Sequence, residues 1–256
     1  MRGFLVWSPI ATVVAAALVW ACSETNEVDE TTLDIAEVHA APTPIATQPN
    51  LKVAFIGDTG TGADFRRVLQ LIKRENADLI MVQGDLNYSL FGSAGPWFDA
   101  ADRELRGEVP YFLAKGNHDS DWRGYAAGMS TRLQALGLTP AGDPASTNYA
   151  LDYKGLQIVM VGDSETSPSR ADFIKQRFAT DNHAWRICSW HKNQRASNIG
   201  PKDDEMGWAT YEACRAAGAI VAQGHSHTYS RSRTLTNDAT QTVDPSCSSP
   251  FDLCVG

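Results

Sequence analysis

Five times along this chain an apolar run of strand length ends on a small set of polar residues. The runs are LKVAFIGD at 51–58, DLIMVQGD at 78–85, VPYFLAKGNHD at 109–119, WRICSWH at 185–191 and AIVAQGHSH at 219–227. Between them lie stretches of helical periodicity. In the first, Phe65, Val68, Leu69 and Ile72 fall on one face, with Arg66, Arg67, Lys73 and Arg74 opposite. Alternation of this kind calls for a mixed sheet covered by helices, because consecutive parallel strands need a crossover between them. Asp58, Asp85, Asn117, His191 and His225 then stand at the carboxyl ends of strands, where open α/β sheets gather their sites.

The remaining elements follow from the same patterns. Helices are read at about 97–105, 125–136, 171–178 and 204–216. Asn148–Tyr153 and Leu156–Val161 flank Lys154-Gly155, a hairpin signal. A last strand is read at 230–235. The chain contains no internal repeat.

The 256 residues suffice for one α/β domain with a substantial core, and the formal charge of -8 excludes a nucleic-acid binder working through general basicity. The N-terminus reads as an export signal over residues 1–21. Arg2 is its only early charge, and an apolar stretch dense in alanine runs up to Cys22. Val19-Trp20-Ala21-Cys22 resembles a lipoprotein cleavage box, so lipidation at Cys22, plain cleavage and a retained anchor are the alternatives. The only expected membrane contact is through this segment, and the expected location is secreted, periplasmic or cell-surface. Residues 22–50, acidic and then rich in Ala, Thr and Pro, lack the apolar surface to offset ordering and read as a tether, with His39 exposed. With Cys22 set aside, Cys188, Cys214, Cys247 and Cys254 allow three connectivities, and none has the Cys-x-x-Cys spacing of a thiolate zinc site.

The chemistry lies in GDTG (57–60), GDLNY (84–88), GNHD (116–119), SWH (189–191) and GHSH (224–227). Singly, each has an ordinary reading: Gly-Asp marks strand-to-loop turns, and a lone histidine is most often a hydrogen-bonded structural one. Together they hold four of the six histidines, each segment after an apolar run. Oxygen and nitrogen donors without sulfur suit a pair of divalent or trivalent first-row metals.

The ordered set resembles the calcineurin-like metallophosphoesterase superfamily and, within it, the purple acid phosphatase type. HKNQ (191–194), GWATYEACRAAGAI and GHSHTYSRS resemble secreted microbial members. The resemblance implies a four-layer αββα sandwich, with a catalytic domain over 51–236 and an incomplete C-terminal segment over 237–256. It implies two metal ions, one held by Asp58, Tyr88 and His227, the other by Asn117, His191 and His225, with Asp85 bridging. The superfamily places a histidine where this chain has Gly60, and Tyr88 fills that vacancy. A phenolate in place of an imidazole favours Fe(III) at the first site, with Zn(II), Fe(II) or Mn(II) at the second. The implied activity is hydrolysis of a phosphorylated small molecule, a phosphomonoester, by in-line attack of a metal-bound hydroxide. His118 is the candidate catalytic acid, or else a histidine that only orients groups, through Asp119. The alternatives are a phosphodiesterase or nucleotidase on the same metal core, and a non-catalytic metal-binding surface protein.

Lesser candidates are read as follows. Lys192, Asn193 and Gln194 contact substrate or form a solvated loop, and Asn87 supports a ligand. Asp163 is a turn or supporting residue. His183, in a polar Asp-Asn-His turn, is expected to be exposed. Trp97, Trp122 and Trp208 are expected to pack. Relatives continue beyond the last motif, so an exposed sheet edge and self-association are expected.

Overall fold

Strands β1 (Val53–Ile56), β2 (Leu79–Val82) and β3 (Tyr111–Leu113) pair in parallel in the order β1-β2-β3. They are joined through helices α1 (Ala63–Arg74) and α2 (Gly95–Leu105). The computed structural model describes residues 44–163 and 168–247. The readings for the export signal, Cys22, His39 and most of the tether lie outside the described residues, as does the tail with Cys254.

A second sheet of five strands has the order β4-β5-β6-β7-β8. Its members are β4 (Ala141–Asp143), β5 (Asn148–Tyr153), β6 (Leu156–Met160), β7 (Trp185–Trp190) and β8 (Ile220–Gln223). The β4-β5 and β5-β6 pairs are antiparallel, whereas β6-β7 and β7-β8 are parallel. Lys154 and Gly155 both adopt positive φ (51° and 77°), as the two central residues of a tight hairpin turn require.

The alternation of side chains explains the layering. Tyr149, Leu151, Leu156, Ile158, Met160 and Ile187 point into one core, which they share with β2, β3 and helices α1, α2 and α3 (Trp122–Ala135). Their neighbours Ala150, Val159, Val161, Cys188 and Trp190 point the other way, against α4 (Arg170–Phe178) and α5 (Trp208–Ala216). A period of two along each strand therefore supplies both faces of the sheet. The result is helices, sheet, sheet, helices. By contrast, β2 is buried at all four positions, and its uniform Leu-Ile-Met-Val run suits a parallel strand covered on both faces.

The disulfide expected to have three possible connectivities pairs Cys188 with Cys214 and ties β7 to α5. Both sulfurs are fully buried, and Cys247 is disulfide-bonded as well. Trp97 and Trp122 pack in the core as expected; their indole N–H groups donate to Thr59 Oγ1 (3.0 Å) and the Pro144 carbonyl (2.9 Å).

Several expectations fail for identifiable reasons. Val68 is exposed, so the buried face of α1 is Phe65, Leu69 and Ile72. Helix α5 begins at Trp208 rather than 204, because Gly207 sits at φ 79° and the preceding residues turn towards other partners. Residues 230–234 form no strand. The strand begins at Leu235, where β9 (Leu235–Asn237) pairs with β10 (Thr242–Val243). His183 is buried rather than exposed. Its Nδ1 lies 2.6 Å from Asp181 Oδ1 and its Nε2 3.0 Å from Asp152 Oδ2.

Candidate metal centre

All seven residues named as metal ligands stand at or just beyond the carboxyl ends of parallel strands. Asp58 follows β1; Asp85 and Tyr88 follow β2; Asn117 follows β3; His191 follows β7; His225 and His227 follow β8. The two sheets meet there. The Gln83 amide, after β2, donates to Ser189 Oγ of β7 (3.3 Å), and the Gln83 carbonyl lies 2.7 Å from His191 Nδ1.

The loops are unusual in backbone conformation. Asp58 (φ 54°), Asp85 (φ 53°), His225 (φ 73°) and His227 (φ 50°) all occupy the left-handed region. Such positions cost free energy for side chains other than glycine and concentrate at functional sites. The approach of the loops is close. A Cβ on Gly116 would fall 2.2 Å from Asp85 Oδ1, and one on Gly84 2.7 Å from Gly116 N. Glycine is needed at both places for the Asp85 and Asn117 loops to touch.

The side chains form two groups. In the first, Tyr88 Oη lies 3.2 Å from Asp58 Oδ1 and 3.0 Å from His227 Nε2. The His227 Nε2 to Asp58 Oδ1 distance is 3.3 Å. This group is open to solvent, with the His227 side chain 62% exposed. In the second, His191 Nε2 lies 3.2 Å from Asp85 Oδ2, 3.1 Å from Asn117 Oδ1 and 3.0 Å from His225 Nδ1. Asp85, His191 and His225 are buried, and one donor atom from each falls within 4.8 Å of the others. The groups are joined by His225 N–H, which donates to Asp58 Oδ2 (2.9 Å).

The donor set fits a cation. His191 Nδ1 lies 2.7 Å from the Gln83 carbonyl, so that nitrogen carries a proton and Nε2 presents its lone pair. His225 Nε2 lies 2.8 Å from Glu205 Oε2, so His225 presents Nδ1. Two neutral rings so held aim lone pairs at each other across 3.0 Å, a contact that needs a proton or a cation between them. Burial opposes charge on His191, but the Asp85 hydrogen bond and charge, aided by the Gln83 carbonyl, outweigh it and raise its pKa above 6.5. Burial and then the neighbouring His191 lower the pKa of His225. Burial likewise pushes Asp85 up, yet His191 and His118 N–H hold it below 3.8. At Tyr88, burial and the Asp58 and Asp85 carboxylates all drive the phenol pKa far upward. A phenol in such surroundings ionises only against a cation, and the same anionic oxygens attract one.

Sequence reasoning missed Glu205 and the partners of Asp119. Asp119 makes no hydrogen bond with the His118 ring. Its buried carboxylate instead accepts from the backbone N–H groups of Asp85 (3.0 Å), Leu86 (2.7 Å) and Gly116 (2.7 Å). It therefore ties the β2 and β3 loops together. Glu205 lies within the stretch read as helix and contacts both Lys192 (3.0 Å) and His225. The His118 ring is exposed and packs against Tyr88 with centroids 4.8 Å apart. Its backbone N–H donates to Asp85 Oδ1 (2.9 Å).

Asn193 and Gln194 are neither solvated nor available to a substrate. Both are buried: Asn193 donates to the Gly224 carbonyl (2.8 Å), and Gln194 Oε1 accepts from Met206 and Gly207 N–H (2.7 and 2.8 Å). Asn87 braces its own loop through Ser89 N–H (2.9 Å). Asp163 pairs with Lys115 (3.1 Å). A cleft of about 500 Å³ opens beside the second group, lined by Asn117, Lys192, Lys202, Asp203, Glu205 and His225.

Comparisons with known proteins agree in kind. The family model described as calcineurin-like phosphoesterase matches residues 51–229. Probable inactive purple acid phosphatase 24 of Arabidopsis thaliana is 27% identical over 194 residues, covering 63% of this chain and 30% of that protein. Purple acid phosphatase 23 of the same plant is 23% identical over 235 residues, covering 76% of this chain and 50% of that protein. The structure of a purple acid phosphatase from yellow lupin (Lupinus luteus) seeds overlays with a TM-score of 0.49 at 21% identity, over 68% of this chain and 37% of that one. The chain thus spans half or less of the length of the curated relatives it matches.

Proposed function

The chain belongs to the calcineurin-like phosphoesterase family, and from that premise we propose that it is a metal-dependent phosphatase acting on phosphomonoesters of small molecules. The observation that carries this reading is the convergence of Tyr88 Oη, Asp58 Oδ1 and His227 Nε2 within 3.3 Å beside the buried Asp85, His191 and His225 and the exposed Asn117.

In this reading Asp58, Tyr88 and His227 hold one ion, Asn117, His191 and His225 hold the other, and Asp85 serves both. The phenolate and Asp58 make the first group the more anionic, which favours Fe(III) there; the two imidazoles and an amide oxygen suit Zn(II), Fe(II) or Mn(II) at the second. When bound, such a pair supplies Lewis-acid stabilisation of the phosphoryl oxygens and a water acidified enough to react near neutrality.

The chain's own residues do the rest. Gln83 and Glu205 set the histidine tautomers, and Asp119 keeps the two loops in register. The cleft wall carries Lys192 and Lys202 against Asp203 and Glu205, and with Lys192 paired to Glu205 it is Lys202 that would meet a phosphate near Asn117 and His225. His118, exposed and resting on Tyr88, would hand a proton to a departing alkoxide in this reading. Export through the N-terminal segment belongs to the same proposal.

The test pairs metal analysis with turnover. Purified protein should hold two metal ions and hydrolyse a chromogenic phosphomonoester faster than the matching diester. Faster diester turnover would make it a phosphodiesterase. Two bound ions with no turnover of either would support the binding protein, a reading that the inactive label of one relative keeps relevant.

A further inference from the structure

We propose that Glu205 is a positioning residue for His225: its carboxylate fixes the imidazole so that Nδ1 faces the metal pair. The inference rests on the metal-dependent reading above and extends it to a residue outside the ligand set.

Glu205 Oε2 lies 2.8 Å from His225 Nε2, on the far side of the ring from the Nδ1 that approaches His191. That oxygen is buried and takes no aligned hydrogen bond among the described residues, the 2.8 Å contact with His225 Nε2 included, so a small turn of the imidazole is what completes the pair. The second carboxylate oxygen lies 3.0 Å from Lys192 Nζ. The backbone is pinned as well. Glu205 N–H donates to the Asn193 carbonyl (3.0 Å), and the next two N–H groups donate to Gln194. The carboxylate is thus built onto the loop that follows His191 and reaches across to the loop that carries His225.

His225 needs such a partner. Its backbone is held by Asp58 (2.9 Å) in a left-handed conformation, which places the residue without setting the rotation of its ring. A carboxylate on the distal nitrogen selects the tautomer and the direction, and raises the basicity of the proximal nitrogen.

The experiment titrates Zn(II) alone into chelator-stripped wild type, Glu205→Gln and Glu205→Ala by calorimetry, with circular dichroism as the check on folding. Wild type should take up two ions. Glu205→Ala should bind one of them about 10–100-fold more weakly, the usual loss when such a partner is removed. Glu205→Gln should lose less, because its amide oxygen still accepts the His225 N–H. Unchanged affinities in a folded Glu205→Ala would overturn the proposal. So would equal losses in the two variants, which would assign the effect to charge rather than to aim. If the alanine variant does not fold, Glu205→Asp replaces it; the carboxylate is withdrawn by one methylene, and unchanged binding overturns the proposal in the same way. A wild type that binds no ion would end both this proposal and the phosphatase reading. A wild type that binds two ions without hydrolysing phosphoesters would end only the latter.

Discussion

The ring of Tyr88 covers the space towards which a side chain at position 60 would point. Gly60 sits at φ 55°, and a Cβ built on it would lie 3.7 Å from Tyr88 Cδ2. The two residues are separated by a helix and a strand in sequence, yet they share one corner of the site. The phenol that fills this corner reaches Asp58 and His227, so the glycine and the tyrosine form one structural unit.

Gly60→Ala tests the glycine half of that relationship. There is room for the methyl group, but the backbone conformation disfavours it by about 1–2 kcal/mol. The expected outcome is a fall in Tm of a few degrees, read by thermal denaturation, with the aromatic contact preserved. An unchanged Tm would mean that the loop relaxes and that the glycine is not required by its φ.

Asp119→Ala should cost about 3 kcal/mol, because three backbone N–H groups in the buried junction of the β2 and β3 loops lose their acceptor. Metal uptake should fall with it, since Asp85 and Asn117 would no longer be held in register. Urea denaturation and metal analysis of the same sample check both effects. A stable variant with two ions bound would refute the bracing role.

The Cys188–Cys214 disulfide closes a loop with a sequence separation of 26. Removing it as Cys188→Ala/Cys214→Ala should lower stability by about 3.5 kcal/mol on the chain-entropy argument. Equilibrium urea curves of the two proteins measure the difference. A loss well under 1 kcal/mol would show that packing of α5 on β7 suffices.

Asp78 gives a pH dependence away from the site. Its carboxylate accepts from Lys154 Nζ (2.7 Å) and from Lys52 N–H (2.9 Å), chiefly the former, and its pKa falls below 3.8. The same contact raises the pKa of Lys154 above 10.5. A depressed carboxyl stabilises the fold above its unfolded pKa and loses that contribution as pH drops through its folded value. A raised amine loses its contribution as pH climbs through its folded value. Asp78→Asn should therefore cost about 0.5 kcal/mol on the plateau between these limits, and the difference from wild type should vanish in strong acid. A difference that grows as pH falls from 4 to 2 would contradict the assignment.

Much of this arrangement was legible in the sequence because it is local. The apolar runs of β1, β2, β7 and β8 announce themselves, and the ligand types stand immediately after them. The hairpin at Lys154-Gly155 is likewise encoded in two adjacent residues. What could not be read is set by distant contacts. Strand β4 is Ala-Gly-Asp and β9–β10 are short and polar, so neither has a periodicity to detect; each exists through its partner. His183 looks solvated in its own turn, but Asp152 and Asp181 enclose it. Asp119 and Glu205 are ordinary acidic residues in sequence, and their roles appear only when loops 34 and 20 positions away fold against them.

In the proposed function, Tyr88 and Gly60 together replace an imidazole at the first metal position. The absorption spectrum of the iron-loaded protein tests it most directly, measured beside Tyr88→Phe. A visible phenolate-to-iron charge-transfer band is expected in the wild type and should disappear in Tyr88→Phe, with both proteins folded. A colourless iron-loaded wild type, or a band that survives the loss of the Tyr88 hydroxyl, would contradict it.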